Sequence, residues 1–112
     1  MLVACHCKEC QRQSGSAFGM SMIIAQTGFE VEGELKMFER SSVSGRALRC
    51  FFCPECGTRI YHQPSYAAGI VNVKAGTLDD TSGLQPTMHT WVSSKQAWIQ
   101  IPHGLPTYET QP

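Results

Sequence analysis

Residues 3–15, VACHCKECQRQSG, place Cys5, Cys7 and Cys10 within six consecutive positions. A C-x-C-x-x-C spacing brings three sulfurs around one ion when a bend is followed by the first turn of a helix. The segment from Lys8 to Ser14 contains neither Gly nor Pro and predicts such a short helix, of one or two turns. Three thiolates on a zinc ion leave the unit with one surplus negative charge and one tetrahedral position unfilled. That open position is what catalysis requires. A structural zinc closes its shell with a fourth protein ligand, and His6 is the nearest candidate, although its position in the chain turns it away from the sulfurs.

Working outward, CPECG at 53–57 brings a second pair, Cys53 and Cys56, in the form of a knuckle whose glycine relieves the backbone where it folds back. Cys7 and Cys10 combined with Cys53 and Cys56 also read as a four-cysteine zinc ribbon, which leaves Cys5 unexplained. Both groupings stay open at this level. A redox role for either C-x-x-C is disfavoured, because neither opens a helix after a thioredoxin-like strand. Cys50 reads as a small buried hydrophobe.

Composition limits the alternatives. With 112 residues and 42% hydrophobic side chains the chain suits one domain, and ten glycines and six prolines favour a turn-rich, mostly β protein. Nine basic residues balance nine acidic ones, which argues against a nucleic-acid or anionic-membrane partner. MLVACHC is too short in apolar residues for a secretory signal, and no stretch suffices for a membrane span. The cytoplasm is the expected location, where thiols stay reduced and clustered cysteines hold metal rather than form disulfides.

Along the chain, SMIIAQTGFEVEGELKMFER (21–40) reads as a hairpin, with Met22 and Ile24 continuing an alternation begun at Met20 and VEGE (31–34) as a tight turn. SSVSGR (41–46) is a polar loop, and RALRCFF (46–52) and RIYHQ (59–63) are strands on either side of the knuckle. IVNVKAG (70–76) sets Ile70, Asn72 and Lys74 on one face and Val71, Val73 and Ala75 on the other. TLDDTSGLQP is a turn-rich connector. No repeat or interdomain linker interrupts the sequence.

The remaining polar and aromatic residues carry weaker signals. Arg12, Ser14 and Ser16 read either as contacts to a substrate carboxylate or as surface and helix-end groups. His62, His89 and His103 lack metal-ligand spacing and read as satisfied or surface polar groups. Asp79 and Asp80 suit a turn or cap better than acid–base catalysis. Trp91 and Trp98 are expected in the core or a subunit contact, with stacking on substrate as the lesser alternative.

Four stretches together, CHCKECQRQSGSAF (5–18), FFCPECGTRIY (51–61), VKAGTLDD (73–80) and HTWVSSKQAWIQIPHGLPTYE (89–109), resemble the glutathione-dependent formaldehyde-activating enzyme family, which includes centromere protein V-like proteins. The resemblance implies a β-tent of small antiparallel sheets related to zinc ribbons. It implies a catalytic zinc on Cys5, Cys7 and Cys10, and a structural zinc to which Cys53 and Cys56 belong. The implied chemistry is carbon–sulfur bond formation or cleavage on a thiol–aldehyde adduct, with glutathione and formaldehyde giving S-hydroxymethylglutathione. In the family pattern an upstream strand with a C-x-C pair completes the structural zinc. Here the sequence opens immediately before Cys5, so the single domain at 1–112 is expected to lack that strand. Cys53 and Cys56 would then recruit Cys50, a partner chain's sulfurs in a homo-oligomer, or the N-terminal cysteines. The rival expectation is a non-catalytic zinc-ribbon module that binds a protein partner.

Overall fold

The computed structural model describes residues 1–112. It orders the chain as β1 (Leu2–Cys5), α1 (Lys8–Ser14), β2 (Gly19–Ala25), β3 (Lys36–Ser41), β4 (Ala47–Phe52), β5 (Arg59–Pro64), β6 (Ile70–Lys74) and β7 (Met88–Thr90), with 3₁₀ turns at Gln26–Gly28, Ala75–Thr77 and Val92–Ser94. The protein is mostly β, as the composition predicts. Its strands are linked edge to edge in the order β3-β4-β5-β6-β2-β1-β7. Every pairing is antiparallel except that of β1 with β7.

The expected hairpin over residues 21–40 does not form. β2 pairs with β1 and with β6, β3 pairs with β4, and three strands separate β2 from β3. Met22 and Ile24 explain the choice. They pack against Val71, Val73 and Tyr61, an apolar cluster that β6 and β5 supply and β3, with Met37 and Phe38 exposed, does not. The VEGE segment is an exposed bend in the crossover, whose flanking Phe29 and Leu35 reach back to the same cluster.

Alternation in β6 sets the two faces of the sheet. Val71, fully buried, and Val73 join Tyr61 in the core, where Phe51 stacks on Tyr61 with centroids 4.4 Å apart and Phe29 meets it edge-on at 4.8 Å. Ile70, Asn72 and Lys74 face the opposite side, as the sequence predicts from their spacing, and there they line a cleft. A register shift in β4 at Phe51/Phe52 interrupts the alternation opposite β5, pairing Phe51 with Tyr61 but Phe52 with Arg59. Ile60 therefore packs on the core with Tyr61, and Arg59 is delivered to the cleft. No helix is long and apolar enough to cross a membrane.

Candidate metal centre and its cleft

Cys5 ends β1, held between Gly19 of β2 and Thr90 of β7. The chain then leaves the sheet: the His6 N–H donates to the Thr90 carbonyl at 3.0 Å, and Cys7, extended at φ −64° and ψ 155°, becomes the cap of α1. A cysteine replaces the usual oxygen-bearing cap, its Sγ accepting from the Cys10 N–H at 3.4 Å. This strand end, bend and first helical turn bring the ligand atoms of Cys5, Cys7 and Cys10 within 4.8 Å of one another. Three soft sulfur donors so close, partly withdrawn from water, fit a thiophilic metal ion such as zinc.

The sulfurs perturb one another strongly. Hydrogen bonds from the thiols of Cys10 and Cys7 pull Cys5 down to about 2 against the opposing effect of burial. Cys10 is pushed up, by Cys5 first and then by Cys7 and burial. Cys7 is drawn down by Cys10 but raised more by Cys5 and burial together, and ends raised. The three thiols therefore ionise as one coupled unit, in which negative charge is favoured at Cys5 and opposed at Cys7 and Cys10.

A cavity of about 320 Å³ extends from the three sulfurs across the sheet face, a size suited to a small ligand. Lys74 projects into it while only 7% exposed, donating from Nζ to Ser21 Oγ at 3.2 Å. Burial lowers its pKa, and the Cys10 and Cys5 sulfurs act the other way. On the neighbouring strand β5, beside Asn72, burial brings His62 down to about 3, helped by the charges of Lys74, Arg40 and Arg59. These three cations and His62 all line the cavity, and no Asp or Glu side chain does.

Trp91 forms part of the rim, as the only non-glycine residue with positive φ (57°). Its indole N–H donates to Gln111 Oε1 at 3.0 Å.

The other residues singled out in the sequence fall elsewhere. His6 is fully buried outside the sulfur cluster, 2.9 Å through Nε2 from Nδ1 of His89, with its own Nδ1 unpartnered. His89 is thereby satisfied inside the protein, and His103 is exposed in a turn. Arg12 pairs with Glu9 at the surface, and Ser14 Oγ donates to the Cys10 carbonyl at 2.7 Å. Neither these two nor the exposed Ser16 lines this cleft; Arg12 and Ser16 border a separate, open depression beside α1. Asp80 forms a turn, accepting from the Ser82 backbone at 3.0 Å. Trp98, expected in the core or a subunit contact, is 72% exposed, its N–H satisfied by Gln96 Oε1 at 2.7 Å. Cys50 is completely buried on β4, as its small size suggests.

Cys53 and Cys56 flank a tight turn closed by hydrogen bonds from Gly57 N–H to the Cys53 carbonyl and from Cys53 N–H to the Thr58 carbonyl, both 2.9 Å. They lie outside the cluster of three, so the two C-x-x-C pairs do not converge into one four-sulfur ribbon. Sequence reasoning missed Arg40, Arg59 and Lys74 as cleft residues. Only Lys74 carried a usable signal, its alternation with Asn72 and Ile70.

A predominantly β sheet with a three-sulfur cluster opening into a ligand-sized cleft defines a candidate metal-dependent binding or catalytic protein. The sequence pattern of the family described as glutathione-dependent formaldehyde-activating enzyme matches residues 1–94, and the chain belongs to that family. No curated protein shows significant similarity to it.

Proposed function

We propose that the chain, acting as a single domain in the cytosol, holds zinc on Cys5, Cys7 and Cys10 and makes or breaks the carbon–sulfur bond of an adduct between a thiol and a small aldehyde. Glutathione and formaldehyde are the pair the family points to. The observation that supports this best is the three-sulfur cluster lining a cavity, with no fourth His, Cys, Asp or Glu grouped with it. Zinc bound there supplies Lewis acidity that makes a substrate thiolate available at neutral pH.

The chain's own residues do the rest. The buried Lys74 ammonium, near the Cys10 and Cys5 sulfurs, offsets the surplus negative charge of three thiolates on a divalent ion. His62, uncharged at neutral pH, gives the cleft a hydrogen-bonding edge without adding a fourth positive charge. The apolar walls, Val3 and Ile23 among them, exclude water and hold both reactants in one small volume, replacing a bimolecular encounter by a positioned one. In the synthetic direction sulfur bonds to the carbonyl carbon and the thiol proton ends on the carbonyl oxygen; cleavage is the reverse. Cys53 and Cys56 are proposed to hold a second, structural zinc with ligands from outside this pair.

The test measures S-hydroxymethylglutathione formation by exchange-resolved NMR, together with bound zinc, in the wild type and in Cys7→Ala. The reading expects acceleration by the wild type and its loss with the metal in the variant. Full activity in a metal-free Cys7→Ala protein would remove it.

A further inference from the structure

His6 stands between the first two sulfur ligands, and its peptide groups are held from outside the cluster. Its N–H is tied to Thr90 of β7, and its carbonyl accepts from Gln11 Nε2 at 2.8 Å. The same amide nitrogen donates to the Ser94 carbonyl at 3.0 Å, so both of its N–H groups are used and α1 is stitched to the Val92–Ser94 turn. Gln11 Oε1 accepts from Gln96 Nε2 at 3.3 Å, and Gln96 Oε1 accepts from the Trp98 indole at 2.7 Å.

These bonds have one consistent direction. An indole N–H donates and never accepts, so the Gln96 oxygen faces Trp98 and its nitrogen faces Gln11. That turns the Gln11 oxygen toward Gln96 and its nitrogen toward the two carbonyls. A reversed Gln11 amide would set oxygen against the His6 and Ser94 carbonyls and leave both without this donor. Trp98 buries little of its ring, so what it supplies here is the N–H.

The position of the His6 carbonyl matters because the pieces on either side of it are rigid. Cys5 is paired on both sides, with β2 and with β7, while Cys7 caps α1 and Cys10 lies within it. The peptide between His6 and Cys7 is the joint, and its rotation would move two sulfurs relative to the third.

We infer that Gln11 is a positioning residue for the metal: it holds the His6–Cys7 peptide in the orientation that aims all three sulfurs at one ion, and Gln96 and Trp98 set the direction of its amide. The inference takes zinc on Cys5, Cys7 and Cys10 from the reading under Proposed function, but not the reaction.

The experiment measures zinc affinity by chelator competition, the absorption of the cobalt-substituted protein in the bands that Cys7→Ala lacks, and urea unfolding of the zinc-free protein. Gln11→Met, which keeps the length of the side chain and removes its donors, should lower zinc affinity about tenfold or more and shift the cobalt bands, as loss of an outer-shell partner does. Gln11→Glu, which sets oxygen against both carbonyls, should do at least as much. Trp98→Phe keeps a ring and removes the N–H; it should lower affinity by about two- to threefold, with Gln96→Leu between the two. A residue that merely supports the fold would lower the urea midpoint and leave affinity and cobalt bands alone. That result in Gln11→Met overturns the inference. Should the Gln11 variants not fold, Gln96→Leu and the exposed Trp98→Phe carry the test, and wild-type affinity in both overturns it. A wild type that binds no metal at the three sulfurs overturns this inference together with the proposed function. One that binds zinc but leaves thiol–aldehyde adducts unreacted fails the reaction alone, and the order of affinities still decides the role of Gln11.

Discussion

A Cβ on Gly19 would stand 3.3 Å from the Cβ of Cys10 and 3.6 Å from its sulfur. Gly19 is also the β2 partner of Cys5, so its bare backbone is the surface against which the third sulfur of the cluster rests. Its φ is not left-handed, so alanine is conformationally tolerated and its effect is confined to that contact.

Gly19→Ala is therefore expected to displace Cys10 by a few tenths of an ångström, about enough to lower zinc affinity tenfold or more, while changing unfolding free energy by about 1 kcal/mol or less. Chelator competition and urea titration read the two quantities separately. Unaltered affinity would mean that Cys10 has freedom to adjust.

Proton release on metal binding follows from the shared charge of the cluster. Cys5 is brought down while Cys7 and Cys10 are raised, so the coupled cluster gives up one proton readily and resists losing the other two. Zinc binding at pH 7 should release about two protons per ion, and affinity should fall as the pH is lowered. Calorimetry in buffers of different ionisation enthalpy counts them; three or none would contradict a cluster that gives up one proton readily.

Stability should depend on pH through His62. Its pKa is lowered on folding from 6.5 to about 3, so the unfolded chain binds the proton more readily throughout that interval. Stability is thus fully present above about 6.5 and declines as the pH falls through the interval toward about 3. His6, lowered to about 4, contributes in the same direction. His62→Asn should flatten the urea-midpoint profile between about pH 4 and 6.5 relative to wild type; superimposable profiles would show that His62 titrates normally.

Trp91 offers a test of backbone strain at the rim. With φ 57° and ψ 39° it occupies the left-handed region, which costs an L-residue roughly 1–2 kcal/mol and glycine little. Both Trp91→Ala and Trp91→Gly lose the indole, so their difference isolates the backbone. Trp91→Gly should be the more stable by about 1 kcal/mol in urea unfolding, and the opposite order would show that the strained geometry is not kept in the variants.

The sequence by itself determined the features that depend on near neighbours. Cys5, Cys7 and Cys10 needed only a strand end, a bend and one helical turn, and Lys8–Ser14 supplies that turn over the predicted residues. Val71 and Val73 against Asn72 and Lys74 could be assigned to opposite faces because side-chain direction alternates along any extended strand. The tertiary structure alone decided which strands meet. Period-two alternation in β2 reports a buried face and not the neighbour that covers it, so Met22 and Ile24 went to β6 across some fifty residues instead of forming a hairpin with β3. The register shift opposite Tyr61 that turns Arg59 into the cleft, the burial of His6 against His89 and the exposure of Trp98 have the same origin. Each is settled by packing between segments far apart in the chain, where local spacing carries no information.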